Sequence, residues 1–338
     1  MKLTSKLAIV IPAYKDVFLQ KTLESIAKQT CNDFNLYIGD DCSPNNLQLI
    51  IEPYKSQINI IYKKFETNLG GLDLVAHWNR CIALTQNEEW IWLFSDDDIL
   101  APNCVACFYN FISTNTKVEL VHFDVKVIDK NGLEILDIPV NAYPKVLSSV
   151  QFFEEKTKGN IQSFVVEYIF KRTLYDNEGG FANFDLAWCA DDATWIKFAS
   201  KNGIYTIKDT FVYWRYSGIN ISSITTDLVV LDRKLNAKLA YLKWVKLFFL
   251  EKNIQCKVKK HILIKWFMYE ITINKSLSTF YRGLTAFKYS KNLIGFFWAI
   301  FSVFYVIISQ FKQILLYKYP KLFNYFFKLF NSIKNSSI

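Results

Sequence analysis

An α/β fold on an open, largely parallel sheet is what residues 1–100 predict, from two observations. Strand-like apolar runs alternate with segments whose apolar residues recur at helical spacing, the mark of a sheet covered by helices. Acidic residues then stand at the C-terminal ends of two of those strands, the edge at which open α/β sheets bind ligands. Leu7 to Ile11 is a continuous apolar run, as a strand buried on both faces requires. Leu19, Leu23, Ile26 and Ala27 fall on one helical face. Leu36 to Ile38 is a second strand, ending at Asp40-Asp41, and Ile58 to Tyr62 is a third. Leu72, Val75, Ala76, Ile82 and Ala83 mark a helix, and Trp90 to Phe94 is a fourth strand that runs into Ser95-Asp96-Asp97-Asp98. Beyond Pro102 the elements lengthen: strands at Leu120 to Ile128, Phe164 to Phe170 and Phe211 to Arg215, a turn at Asn131-Gly132, and a helix around Trp195 to Ala199. This α+β continuation is expected to cover the first sheet and shape a cleft, giving a domain over residues 1–227 followed by a helical region over 228–338.

The chain of 338 residues is 51% hydrophobic, enough for a large core, and its net charge of +9 is unevenly placed. Residues 234–338 carry 18 Lys and Arg against two acids, Glu251 and Glu270, whereas residues 1–233 carry 22 against 29. The basic block is interleaved with Phe, Tyr, Trp, Leu and Ile, a composition that suits a helix lying on an anionic bilayer better than a nucleic-acid surface. Within it, Leu293 to Ser309 has no charge for 17 residues, at the lower limit of a spanning helix. Ser302, Ser309 and the flanking lysines favour an interfacial or re-entrant helix over a span. Seven cysteines, odd in number and scattered, suggest no disulfide framework and fit a reducing cytoplasm. Cys104 and Cys107 form a lone CxxC in an apolar helical pattern, which reads as packing. The apolar stretch Leu7 to Ala13 is too short for a signal peptide, so a place on the cytoplasmic face of the membrane, peripheral or monotopic, is expected.

Asp96, Asp97 and Asp98 repel one another unless a cation or a strong donor set offsets their charge. Hard divalent ions are the usual partners of carboxylates that also meet a phosphate, while a solvated turn with a helix cap is the bland alternative. Asp40 and Asp41, on a strand expected to point the same way, tilt the choice toward a site for a metal and a polar ligand. At this point the motifs become specific. Ile9-Val10-Ile11-Pro12-Ala13-Tyr14, Gly39-Asp40-Asp41-Cys42-Ser43, Asn68-Leu69-Gly70-Gly71 and Ser95-Asp96-Asp97-Asp98 resemble, in order and spacing, the family 2 glycosyltransferases of GT-A fold, bacterial surface-polysaccharide type. The resemblance covers roughly residues 5 to 225. It implies that Pro12, Ala13 and Tyr14 shape a nucleotide pocket with Asn68 and Gly70, and that Asp40 or Asp41 meets the base, uracil in most relatives. The Asp96 to Asp98 run would be the DXD-type motif that binds the donor and holds Mg²⁺ or Mn²⁺. Many relatives read Asp-x-Asp-Asp where this chain has Ser95-Asp96-Asp97-Asp98, so Asp97 and Asp98 are preferred as the metal contacts.

The second half extends the resemblance. Gly179-Gly180-Phe181, then Ala190-Asp191-Asp192 and Trp195 to Ala199, is similar to the family's Gly-Gly-Phe followed by Glu-Asp at a helix start. The Asp of that pair is the general base in relatives, which places the role on Asp191, with Ala190 where Glu usually stands. A helix cap at Asp191 or Asp192 is the alternative. Tyr213 to Ser217 is similar to a segment carrying an Arg near the diphosphate, and the planar fork of Arg215 suits two phosphate oxygens. The family's His is missing there, and His77 reads as a packed or surface residue. What the resemblance implies is an inverting transfer of a sugar from a nucleotide-diphosphate donor, a UDP-sugar, to a hydroxyl of a glycan or lipid-linked acceptor. Absence of glycine from Ile11 to Tyr14 argues against a Rossmann dinucleotide site. The rival from another class is a catalytically silent membrane-bound nucleotide-sugar-binding or scaffold protein, which the Ser95 and Ala190 departures favour.

Overall fold

The structure is a computed structural model that describes residues 5–136, 142–219, 223–224, 226–274 and 276–318. Its strands are β1 Leu7–Ala13, β2 Asn35–Asp40, β3 Ile60–Lys64, β4 Trp90–Leu93, β5 Ile99–Leu100, β6 Leu120–Ile128, β7 Val146–Leu147, β8 Tyr168–Lys171 and β9 Ile204–Arg215. Its α-helices are α1 Leu19–Ala27, α2 Leu47–Ile51, α3 Leu74–Ile82, α4 Cys104–Thr114, α5 Ser149–Lys158, α6 Arg172–Asn177, α7 Ala190–Phe198, α8 Leu228–Glu251, α9 Lys260–Phe267, α10 Tyr269–Ile273, α11 Thr279–Ile294 and α12 Phe296–Lys318. Two compact units result: residues 1–224 with 236–257, and residues 225–235 with 258–338. The helical region expected from 228 is thus shared, α8 contributing to both.

In the first unit the strands form one mixed sheet in the order β3-β2-β1-β4-β8-β6-β9-β5, with β7 pairing antiparallel to the start of β9, on the side away from β6. β1 runs parallel to β2 and β4, and β2 parallel to β3, whereas β8 is antiparallel to both β4 and β6. The continuous apolar sequence of β1 reflects this central place: Leu7, Ile9 and Ile11 are buried on one face, Ala8 and Val10 on the other. α1 buries Leu19, Leu23 and Ile26 in the same cluster as Leu7, Ile9 and Ile11, so the helical spacing read from the sequence is the face that packs. Trp92 of β4 stacks on Phe123 of β6 at 5.0 Å and donates its indole N–H to Val166 O at 2.6 Å, which keeps the polar end of a buried ring satisfied.

Three expectations change in detail. Leu72 lies outside its helix and is 83% exposed, because Asp73 caps the helix by accepting from Ala76 N at 2.9 Å and so starts it at Leu74. The run Phe164 to Phe170 is a strand only from Tyr168. Ahead of it Val165–Glu167 is a 3₁₀ turn in which Glu167 Oε1 accepts from Phe164 N at 3.2 Å. The charge-free run 293–309 is not one helix: Gly295, at φ 94°, separates α11 from α12. Among the described residues no helix is long and apolar enough to cross a membrane.

In the second unit α11 packs along α12, with Ser290 Oγ donating to Ser302 Oγ at 2.6 Å. Arg282 is buried and donates to the carbonyls of Leu277, Thr272 and Asn274, which ties down the carbonyls around the end of α10. Phe297, Phe301, Phe304, Ile308 and Phe311 of α12 stay exposed and recur at spacings of three and four, one apolar stripe along the helix.

Candidate active site

The sheet order reverses between β1 and β4: from β1 the chain goes outward through β2 to β3, then returns to pair β4 on the other side of β1. At such a switch point the loops leaving the two strands part and open a crevice at their C-terminal ends. Here they are stitched by one carboxylate. Asp96 Oδ2 accepts from Tyr14 N at 2.9 Å and Lys15 N at 2.8 Å, fixing the segment after Pro12 and Ala13 against the acidic turn. Tyr14 leaves its ring 43% exposed, while its carbonyl accepts from Ser43 Oγ at 2.7 Å, joining the end of β2 as well.

The three adjacent aspartates are all buried and hold different partners. Asp97 Oδ2 is 2.9 Å from Lys15 Nζ and Oδ1 is 2.6 Å from Ser95 Oγ. Asp98 Oδ2 lies 2.8 Å from the same Ser95 hydroxyl, and Oδ1 accepts from Arg215 N at 2.6 Å. One hydroxyl proton cannot serve both carboxylates. Burial first, and then the neighbouring Asp97 charge, push the Asp98 carboxyl well above the usual carboxylate range. Burial likewise raises Asp96, against the opposing effect of Lys15. Ser95, where many relatives carry an acid, is therefore the hub of the turn.

Arg215 takes a different place from the one expected. It is fully buried, with Nε donating to Asp97 O at 2.7 Å and Nη1 to Asp129 O at 2.9 Å, and its guanidinium sits 4.6 Å from the Phe18 ring centroid. Its Nε and Nη1 thus tie it to the acidic turn and to the loop at Asp129.

Asp40 and Asp41 divide their work. Asp40 Oδ1 accepts from Ser43 N at 2.7 Å and Oδ2 from Tyr62 OH at 2.6 Å. Asp41 holds the Asn68-Leu69-Gly70-Gly71 loop, accepting from Leu69 N and Gly70 N at 2.8 Å each, and also receives the Arg80 guanidinium. The motif's glycine has a steric cause: a Cβ on Gly70 would stand 2.7 Å from Asp41 Oδ2. Asn68 Oδ1 closes the loop by accepting from Gly71 N at 2.8 Å. His77 is buried behind Asp41, 3.4 Å from its Oδ1, and burial pushes its imidazole down to about 4, which agrees with a packed residue.

The second acidic pair opens α7. Its approach is strained, since Leu186, Ala187 and Cys189 all have positive φ, and it follows Gly179 and Gly180, also at positive φ. The loop is anchored at the site's own edge. Asn183 Nδ2 lies 3.0 and 3.2 Å from the Asp73 carboxylate, and residues 183–187 with Leu72, Asp73 and Leu74 line a recess of 370 Å³. Asp73 follows the loop that Asp41 holds, so this contact ties the loop ahead of α7 to that loop. On α7 itself the adjacent aspartates diverge. Asp192 is buried and ion-paired to Lys156 of α5, with Nζ to Oδ1 at 2.7 Å. Burial opposes the charge on Lys156, but Asp192 and Asp191 outweigh it and hold the ammonium above its ordinary value. Asp191 is partly exposed and accepts from Asp192 N at 2.9 Å. Burial, then the Asp192 charge, push the Asp191 carboxyl up to about 7.

Lys15, Lys156 and Arg80 were not foreseen as members of this site. Lys156 had a signal: it stands beside Thr157 and four residues after Phe152, on the face that α5 buries. Among the described residues no three His, Cys, Asp or Glu side chains could by themselves hold a metal ion. The donor set does suit a cation that takes one or two carboxylates and completes its shell with phosphate and water, and the Lys15 ammonium is ion-paired to Asp97.

Residues 8–170 match the family model described as glycosyl transferase family 2. Among curated relatives, the poly(ribitol-phosphate) beta-N-acetylglucosaminyltransferase TarS of Staphylococcus aureus is 24% identical over 62% of this chain and 35% of its own length. An uncharacterised glycosyltransferase of Methanocaldococcus jannaschii, MJ1057, is 27% identical over 61% of this chain and 68% of its own. The chain thus spans about a third of the length of TarS. In fold it is similar to S. aureus TarS residues 1–349 in complex with UDP-GlcNAc, with a TM-score of 0.56, 17% identity, and coverage of 88% of this chain and 91% of that one. It is also similar to a mannosyltransferase of Pyrobaculum calidifontis in complex with GDP-Man and Mn²⁺, with a TM-score of 0.51, 13% identity, and coverage of 94% and 89%. The mixed sheet, the ordered motifs along its switch-point edge and the match over residues 8–170 identify a glycosyl transferase family 2 domain in the first unit of this chain.

Proposed function

We propose that this glycosyltransferase inverts the anomeric centre in a single displacement, taking the sugar from a nucleotide diphosphate, a UDP-sugar, to a hydroxyl of a surface glycan or lipid-linked acceptor. The observation that carries this is the division of labour on α7: Lys156 neutralises Asp192, while Asp191 is left partly exposed with a carboxyl raised to about 7. A carboxylate of that basicity is matched to taking a proton near neutral pH. Asp191 removes the acceptor's hydroxyl proton as the oxygen forms its bond to the anomeric carbon. The bond from that carbon to the diphosphate oxygen breaks on the opposite side, and one displacement inverts the centre.

At the switch point, the exposed ring of Tyr14 with Pro12 and Ala13 would form the wall for the nucleotide. Asp40, through its remaining lone pairs, and the loop that Asp41 holds at Asn68 and Gly70 would line the base and ribose side. Mg²⁺ or Mn²⁺ held against Asp97 and Asp98 would supply the positive charge that offsets the departing diphosphate. The relatives whose structures contain UDP-GlcNAc, or GDP-Man with Mn²⁺, support that choice of ligand class.

For the second unit the proposed partner is the anionic surface of the membrane on its cytoplasmic face. The exposed stripe Phe297, Phe301, Phe304, Ile308 and Phe311 supplies apolar area, and the lysine-rich composition of residues 258–338 supplies charge. The test of the whole is a panel of nucleotide sugars incubated with the full chain and Mg²⁺ or Mn²⁺. Metal-dependent release of nucleotide diphosphate from one of them is expected. No release from any donor, with nucleotide still bound, would identify the silent binding protein instead.

A further inference from the structure

Lys15 has no part in the transfer just described, yet it occupies the centre of the acidic turn. Its Nζ lies 2.9 Å from Asp97 Oδ2 and 3.5 Å from Asp96 Oδ1, and its own main-chain N–H is held by Asp96 Oδ2 at 2.8 Å. The backbone is thereby fixed while the side chain, 29% exposed, keeps a route to the crevice. Asp96, Asp97 and Asp98 are buried, so their charge is offset here by the chain's own ammonium. A divalent ion brought to Asp97 would meet that ammonium within a few ångströms, and two cations so close repel strongly in a partly desolvated site.

We propose that Lys15 is a resident counter-ion of the acidic turn that exchanges with the divalent cation when donor binds. The displaced ammonium, still tethered through its main chain to Asp96, turns to the diphosphate oxygens entering the same crevice. This rests on the donor and metal assigned above. It adds a property those assignments lack: with nucleotide absent the metal must displace Lys15 and find its remaining ligands in water alone, whereas diphosphate both ligates the metal and receives Lys15. Metal and nucleotide therefore bind with positive coupling, each raising the other's affinity by the same factor.

The experiment is a titration of the full chain with Mn²⁺, followed by the spectrum of free ion or by calorimetry, with and without UDP. Wild type, Lys15→Met, Lys15→Gln and Lys15→Arg are compared. Without UDP, the Met and Gln variants are expected to bind Mn²⁺ about tenfold more tightly than wild type, because the competing charge is gone, and the Arg variant is expected to stay near wild type. With UDP, wild type gains more Mn²⁺ affinity than either neutral variant does. The Gln variant carries the same test if Met at this position unfolds the turn. Neutral variants that bind Mn²⁺ no more tightly than wild type would overturn the exchange while leaving the transfer function intact. Failure of wild type to bind Mn²⁺ even with UDP would remove the metal assignment, and the exchange with it.

Discussion

The acidic turn after β4 and the acidic first turn of α7 are both runs of adjacent aspartates, and the structure treats them in opposite ways. At the turn every carboxylate is tied to main-chain N–H groups, to Ser95 or to Lys15. At α7 the cation pairs with one member: Lys156 takes Asp192, and Asp191 is left with main-chain donors and a raised carboxyl. Burial raises the Asp96 and Asp98 carboxyls as it does Asp191, so what separates the two runs is the partners each carboxylate holds. Three tied carboxylates make a place for a cation. One under-supported carboxylate beside a neutralised twin makes a base.

The largest expected effect separates the twins. Asp191→Asn keeps the shape of the helix start but removes the proton acceptor, so transfer should fall by roughly two to four orders of magnitude with donor affinity unchanged. Asp192→Asn should keep most of its rate and lose stability, since Lys156 would be left without its charge partner. Rates and nucleotide affinities for both variants check this, and an inactive Asp192→Asn beside a near-normal Asp191→Asn would reverse the assignment. Lys156→Met should come next. Removing one member of a buried pair costs about 3 kcal/mol, to be read from denaturant unfolding, and the uncompensated Asp192 charge should drive the Asp191 carboxyl still higher. On the other side of the comparison, Gly70→Ala forces a Cβ to 2.7 Å from Asp41, so the loop must move, at about 1–3 kcal/mol of stability and with weaker nucleotide binding. The smallest effect concerns the second unit. The full chain should sediment with anionic vesicles, and raising salt well above 0.1 M, where screening acts within about 10 Å, should weaken that association without abolishing it. A chain left in the supernatant at low salt would give α12 another role.

Most of the first sheet was legible because its strands are buried on both faces and so leave unbroken apolar runs, as in β1 and β4. The acidic ends of β2 and β4 were legible for the same reason, since charge directly after such a run stands out. What could not be read were pairings between residues far apart in the chain: Lys15 with Asp97, Lys156 with Asp192, Arg80 with Asp41. Each lysine or arginine looks locally like a surface charge, and only the fold brings it to its partner. Arg215 shows the converse. Its residue type suits phosphate, but the fold buries it, with Nε and Nη1 donating to main-chain carbonyls. Gly295 divides the run 293–309, but the lack of charge around it makes the run read as continuous in the sequence.

The most direct test of the account is the pH dependence of transfer. A base must be unprotonated to act, and the Asp191 carboxyl is raised to about 7, so kcat/KM of the wild type should climb as pH rises through about 7 and level off above it. The two variants identify which aspartate carries the limb. In Asp191→Asn that limb should vanish, leaving a low rate with no rise near 7, whereas in Asp192→Asn it should persist with its midpoint moved down, one negative neighbour having been removed. A limb near 7 that survives unchanged in Asp191→Asn would place the base elsewhere and contradict the account.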